Sequence, residues 1–247
     1  MPAPTRTTSS PQPGARRRRP ALAAAAIIGV AALVLIAGLL LTLRPWETRG
    51  PTVADAPTGA GETTSPSSAP PLVDESTHIL TDAGADAPVV VEFLDFECEV
   101  CGAVYPTMES LREQYAEDVT FAVRYFPLPG HNNSVNAALA VEAAAQQGAF
   151  EPMYQRMFET QAEWGEQQAS EASRFRGFAE ELGLDMAAFD AAVEDPSTLD
   201  RVDADFQAGM ALGVDRTPTI FIDGERLDIR TLTDIEDAVV AAAGGDS

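Results

Sequence analysis

The two cysteines of this 247-residue chain, Cys98 and Cys101, lie three positions apart. The stretch before them, which begins at Val89, is apolar and rich in β-branched residues, which predicts a buried strand. The stretch after them, Gly102 to Tyr115, carries apolar side chains at helical spacing and predicts a helix. The N–H groups and macrodipole at the start of a helix favour a thiolate, and residues three apart share a helix face. The pattern therefore predicts a redox-active dithiol.

Two less reactive interpretations of the cysteines are a zinc half-site and a structural disulfide. A structural zinc ion needs four ligands, but the chain has no second cysteine pair, and His78 and His131 are far apart in sequence. A disulfide across a two-residue loop removes little chain entropy and would stabilise the fold only slightly. The sequence therefore favours redox chemistry, with no metal and no cofactor.

The charge of the chain is distributed unevenly. Residues 1–50 hold seven of the 16 arginines, whereas 37 of the 38 acidic residues lie from Pro51 onward, and the chain has no lysine. A surface this acidic argues against nucleic acid or anionic lipid as a ligand.

The N-terminal region has the pattern of a membrane anchor. Residues 1–20 are polar, end in the cluster Arg16 to Arg19, and are predicted to be disordered and cytoplasmic. Residues 21–43 form an uncharged run that at ~1.5 Å per residue would cross a ~30 Å hydrocarbon core as one transmembrane helix. The rival interpretation is a cleaved signal peptide, but the run is longer than such peptides usually have and no good cleavage site follows it. We expect a single-pass protein whose main domain lies outside the cell membrane.

Residues 44–76 are rich in Pro, Gly, Ser and Thr and are expected to be a flexible linker. Residues 77–243 are predicted to be an α/β domain, with helices replacing strands over about 131–213. The predicted elements are, in order, a strand at 77–80, a central strand that begins at Val89, the cysteine helix, a strand at 119–126, several helices, a hairpin at 217–227 and a closing helix at 231–243.

This order resembles the thioredoxin fold with an inserted helical subdomain, as in the DsbA-like thiol–disulfide oxidoreductases. The resemblance also rests on Val-Val-Glu-Phe-x-x-Phe-x-Cys, ending at Cys98, and on Thr217-Pro218. It implies that Cys98 is the nucleophile and the more exposed sulfur, and that Cys101 is the resolving cysteine. It further implies that Glu92 is a buried acid beneath the site and that Thr217-Pro218 is a cis-proline pair against the disulfide, where it binds substrate.

The dipeptide between the cysteines departs from this family. Members commonly have proline followed by an aromatic residue or histidine, whereas this chain has Glu99-Val100. Since the dipeptide tunes the thiolate, and the thiolate sets the potential, we expect Glu99 and Val100 to alter the redox poise.

Three of these residues have ordinary structural interpretations as well. Glu92 would be unremarkable on a solvated strand face, although a carboxylate among Val and Phe residues suggests a proton acceptor for Cys101. Pro218 would be unremarkable in an edge strand. His131 follows a Pro-Gly turn and is expected to be a loop residue rather than a neighbour of the site.

The leading functional expectation is an extracytoplasmic oxidoreductase that introduces disulfides into exported proteins. Its partners would be cysteine-containing exported proteins and a membrane protein, quinone-linked for example, that re-oxidises it. One alternative is a reductase or isomerase kept reduced by a membrane donor. Another is a non-catalytic binding or chaperone domain whose cysteines sense redox state.

Overall fold

The computed structural model of the protein describes residues 69–244. The predicted cytoplasmic segment, the predicted transmembrane helix and most of the predicted linker lie outside this range. No helix within residues 69–244 is both long and apolar enough to cross a membrane.

A five-stranded mixed sheet organises the fold. Strand β2 (Val89–Leu94) lies at its centre, parallel to β3 (Thr120–Tyr125) on one side and antiparallel to β4 (Thr219–Ile222) on the other. The edges are β1 (His78–Thr81), paired with β3, and the short β5 (Glu225–Arg226), paired with β4. The predicted strands are present, with ends shifted by at most two residues.

Helix α1 (Glu99–Gln114) connects β2 to the parallel strand β3, as a crossover must. It begins three residues earlier than predicted, with Cys98 as its N-cap residue, and it continues through Pro106. Both residues of the Glu99-Val100 dipeptide therefore lie in its first turn. The helical insertion consists of α2 (Ser134–Ala145), α3 (Phe150–Glu159), α4 (Gln161–Trp164), α5 (Ala172–Glu181), α6 (Met186–Glu194) and α7 (Pro196–Ala211). The C-terminal helix is α8 (Leu232–Ala242).

The alternation of side chains along β2 decides what each residue contacts, because successive residues of a strand point to opposite faces. Val90 packs in one cluster with apolar side chains of α1 and α8. Val91 and Phe93 pack on the other face, against Phe126 and Phe221. Glu92 shares the face of Val90 and is therefore directed towards the helix that carries the cysteines.

Candidate active site

The two cysteines lie at the junction between β2 and α1, and both are buried free thiols. Cys98 is 6% exposed and Cys101 is 1% exposed, so Cys98 is the more accessible sulfur although it is less exposed than the sequence suggested. The N–H of Cys98 donates to the carbonyl of Asp95 at 3.1 Å, which closes a tight turn between strand and helix. The Cys98 thiol donates to the carbonyl oxygen of Thr217 at 3.4 Å.

The two thiols have opposite acidities. A hydrogen bond from Cys101 is the largest cause that lowers the pKa of Cys98 to about 6, against the opposing effect of burial. The Thr217 side chain and the N–H groups of Cys101 and Val100 lower it further. The pKa of Cys101 is raised well above its ordinary value by burial, by Cys98 and by the charge of Glu92. The surroundings thus favour the thiolate of Cys98 and the protonated thiol of Cys101.

Glu92 is a buried acid, as the resemblance implied. Its side chain is directed beneath α1, and the residue is only 3% exposed. Burial is the main cause that raises its pKa to about 8, and the charges of Cys98 and Glu109 contribute. It borders a cavity of about 10 Å³ together with Glu109, Arg112 and Tyr154, a volume that suits about one water molecule. At neutral pH the carboxyl is mainly protonated and can exchange a proton.

The Thr217 carbonyl lies within hydrogen-bond reach of the Cys98 thiol, and the peptide bond between Thr217 and Pro218 is cis. The Thr217 hydroxyl is buried and has no hydrogen-bond partner among residues 69–244. Because this side chain also lowers the pKa of Cys98, the hydroxyl is placed to donate to the sulfur once Cys98 ionises. Beside Pro218 a surface groove of about 350 Å³ runs past Thr219, Arg216 and Arg226.

The dipeptide side chains face solvent. Glu99 is exposed, and Val100 is 56% exposed beside the reactive sulfur. Val100 therefore offers an apolar contact to whatever approaches Cys98, and its N–H supports the thiolate. The predicted redox tuning by these two residues stays a prediction.

Several residues that the sequence analysis did not assign to the site hold the cysteine turn in place. Gln161 donates from Nε2 to the carbonyls of Phe96 at 2.7 Å and Cys98 at 2.8 Å. A Cβ on Gly102 would lie 1.9 Å from Oε1 of Gln161, so only glycine at this position leaves room for the Gln161 side chain. His131, expected to be an ordinary loop residue, bonds to the buried Asp95 through Nδ1 at 2.6 Å.

Within residues 69–244, no three His, Cys, Asp or Glu side chains are grouped so as to hold a metal ion. The His78 side chain makes other contacts: its Nε2 lies 2.8 Å from Glu142, and its ring stacks on Phe150.

Solved structures similar to this chain share its fold. A thioredoxin-like oxidoreductase from Silicibacter pomeroyi DSS-3 is 24% identical with a TM-score of 0.58, over 71% of this chain and 96% of that one. BdbD from Bacillus subtilis is 20% identical with a TM-score of 0.60, over 69% and 94%. MdbA, a thiol-disulfide oxidoreductase from Corynebacterium diphtheriae, is 21% identical with a TM-score of 0.55, over 66% and 89%. At these identities the likeness establishes a thioredoxin-like fold with DsbA-type neighbours, and the paired thiols are consistent with oxidoreductase chemistry.

The curated relatives of this chain are named as antiporters. The Na(+)/H(+) antiporter NhaA of Herminiimonas arsenicoxydans is 36% identical over 173 residues, which are 68% of this chain and 26% of that protein. NhaA 1 of Mycobacterium sp. (strain KMS) is 35% identical over 162 residues, 63% of this chain and 25% of that protein. The chain thus spans about a quarter of the length of these relatives.

The family model described as Thioredoxin matches residues 83–240, which include both cysteines, Glu92 and the Thr217-Pro218 pair. The chain belongs to the thioredoxin family.

Proposed function

We propose that this protein is an extracytoplasmic thiol–disulfide oxidoreductase that introduces disulfides into exported proteins. The observation that carries the proposal is the asymmetry of the two sulfurs: Cys98 has a pKa of about 6, and the pKa of the buried Cys101 is raised. A structural disulfide gains nothing from such asymmetry, whereas a thiol that must attack or leave at neutral pH needs it.

The reaction starts from the Cys98–Cys101 disulfide. A substrate thiolate attacks the sulfur of Cys98, a mixed disulfide forms, and Cys101 leaves as a thiolate that takes a proton from Glu92. A second substrate thiolate then attacks the substrate sulfur of the mixed disulfide, and Cys98 leaves as a thiolate. The substrate loses two electrons and gains one disulfide, and the enzyme is left reduced.

The acidity of Cys98 favours the oxidising direction. With a pKa of about 6, the thiolate outnumbers the thiol by about ten to one at pH 7. Stabilising the thiolate stabilises the reduced enzyme, and a stable reduced form makes the disulfide a stronger oxidant. This balance favours an oxidase over a reductase or isomerase kept reduced by a membrane donor.

Substrate binding is assigned to the Thr217-Pro218 segment. The Thr217 carbonyl already accepts a hydrogen bond from Cys98, so a chain bound along this segment would present its cysteine to that sulfur. Extended chains bind exposed backbone by strand addition, which tolerates many sequences. That tolerance suits an enzyme with varied clients.

The proposal includes a membrane anchor at residues 21–43 with the N-terminus in the cytoplasm. The arginine cluster before this uncharged run supports that orientation. A tethered domain would meet both unfolded exported chains and a membrane partner, quinone-linked for example, that re-oxidises Cys98 and Cys101.

Two cysteine variants test the proposal. In glutathione buffers the wild type should oxidise a reduced, unfolded substrate protein, and Cys98→Ser should not. Cys101→Ser should accumulate mixed disulfides with that substrate, because no internal thiol resolves them. The double variant controls for non-covalent binding. A Cys98→Ser variant that still oxidises substrate would show that the chemistry, or the assignment of the two sulfurs, is wrong.

The curated relatives support a second candidate, in which this chain serves the thiols of a membrane transport protein. Those relatives are named antiporters, and a quarter of their length resembles this chain. The same Cys101→Ser trap separates the two candidates in cells. Adducts with many soluble exported proteins support the first, and one dominant adduct with a polytopic membrane protein supports the second.

A further inference from the structure

Two buried carboxylates lie directly before the reactive cysteine. Asp95 and Glu97 are each 1% exposed. The Asp95 carboxylate accepts from the N–H groups of Glu97 and Leu128, both at 2.9 Å. The Glu97 carboxylate accepts from the N–H of Asn133 at 2.5 Å. The bonds to Leu128 and Asn133 fasten the cysteine turn to the loop between β3 and α2.

His131 brings a titratable cation into this acidic turn. Its Nδ1 lies 2.6 Å from Oδ2 of Asp95, and Nε2 lies 3.9 Å from a carboxylate oxygen of the exposed Glu166. Asp95 in turn holds the N–H of Cys98 with its own carbonyl. The imidazole and the reactive cysteine are thus bonded to the same residue.

The surroundings of His131 favour its protonated form. Its partial burial works against a positive charge, but the hydrogen bond and the charge of Asp95 outweigh that effect, so the pKa of His131 is raised. The charges of Cys98 and Glu97 act in the same direction. Four acidic groups therefore favour the charged ring: Asp95 and Glu166 lie beside it, and the charges of Glu97 and Cys98 act on it from the cysteine turn.

We propose that His131, oriented by Asp95, is a further redox-tuning residue of this site: as an imidazolium it stabilises the Cys98 thiolate. It would supply from the β3–α2 loop the positive charge that the Glu99-Val100 dipeptide does not offer. This inference rests on the proposed function in one respect, because the tuned thiolate is the group that leaves when a substrate disulfide forms.

The proposal has a reciprocal consequence. If the imidazolium lowers the pKa of Cys98, the Cys98 thiolate must raise the pKa of His131 by an equal amount, since the coupling free energy is shared. Formation of the Cys98–Cys101 disulfide removes the thiolate charge. The pKa of His131 should therefore be higher in the reduced protein than in the oxidised protein.

The test is an NMR titration of the imidazole C–H signals in both redox states. The chain has two histidines, so His78 serves as the internal control. We expect the pKa of His131 to fall by about half a unit or more on oxidation, a shift expected of a unit charge nearby, and that of His78 to stay constant. Equal titrations of His131 in the two states, or equal shifts of both histidines, would overturn the proposal.

Variants separate charge from shape. His131→Asn retains an N–H donor for Asp95 but loses the charge, so the pKa of Cys98 should rise by about half a unit or more and the disulfide should oxidise less strongly. His131→Arg retains a cation and should keep the pKa of Cys98 near its wild-type value. Arg176→Gln, which removes a cation from an exposed pair with Asp190, is the charge-matched control.

The measurements are thiolate absorbance against pH and equilibration with glutathione, with circular dichroism to confirm folding. If His131→Asn and His131→Arg raise the pKa of Cys98 alike, the residue is only structural and the proposal fails. These readouts need no client protein. The His131 linkage can therefore hold while the oxidase assay fails, or fail while that assay succeeds.

Discussion

Replacing Glu92 with Gln should stabilise the folded domain at neutral pH. The pKa of this carboxyl is raised by burial from 4.5 to about 8, so the folded protein resists its ionisation. Below about pH 4.5 the group is protonated in both the folded and unfolded states. Between pH 4.5 and pH 8 the unfolded chain releases the proton and the folded protein retains it. Stability is therefore lost as the pH rises, and above pH 8 the loss is complete.

The size of the effect follows from these two pKa values. Each pH unit across this interval costs about 1.36 kcal/mol, so the acid destabilises the fold by about 3 kcal/mol at pH 7 and by about 4 kcal/mol at pH 8. Glutamine has nearly the same shape and does not ionise. The substitution should therefore raise the free energy of unfolding by about 3 kcal/mol more at pH 7 than at pH 4.5. This difference between the two pH values should be somewhat smaller in the disulfide form, where the charge of Cys98 is absent.

The assay is urea denaturation of the wild type and Glu92→Gln at both pH values, in each redox state. Glu99→Gln is the matched control, because it removes an exposed acid from the same segment and should change stability equally little at both pH values. A difference between wild type and Glu92→Gln that does not change with pH would refute the reasoning. It would mean that Glu92 ionises freely and is not held as a proton donor.

Two further predictions concern the dipeptide and the anchor. Glu99→Gln should lower the pKa of Cys98 by about 0.4 units if the carboxylate and the sulfur are about 7 Å apart in a water-like dielectric, and the effect should shrink in high salt. Thiolate absorbance against pH measures this shift, and a rise in the pKa of Cys98 would contradict the prediction. Protease added outside intact spheroplasts should release the catalytic domain from the membrane, as followed by immunoblotting. A domain protected from the protease, or one already free of the membrane, would contradict the anchored topology.

The sequence predicted the order of strands and helices because the signals for them are local. Alternating and helical periodicities placed β2, α1 and β3, and their ends moved by at most three residues. The start of α1 was predicted at Gly102 rather than Glu99, since the first turn of a helix is held by capping and carries no apolar repeat. Glu92 was singled out from a local contrast, a carboxylate in a Val/Phe strand, and it is buried.

The supports of the site could not be predicted because they join distant segments. Asp95 and His131 are 36 residues apart, and Gln161 is 65 residues from Phe96. Asp95 and Glu97 are acidic residues beside a cysteine pair, and the sequence does not show whether they lie in a solvated loop or in a buried turn. Only the return of the β3–α2 loop to the cysteine turn distinguishes the two cases. Gly102 offered a signal in retrospect, as a glycine in a helix interior where the Gln161 side chain leaves no room for another side chain.

The thiolate of Cys98 has two kinds of support, and they respond differently to solution conditions. The main ones are uncharged donors: the Cys101 thiol, the Thr217 hydroxyl and the first N–H groups of α1. Salt screens exposed charges but leaves such buried dipoles nearly unchanged. The charged contributions that we predict, favourable from His131 and unfavourable from Glu99, are opposite in sign. A strongly acidic protein can therefore hold an acidic thiol, because neutral groups at short range set its pKa and the surrounding charges adjust it.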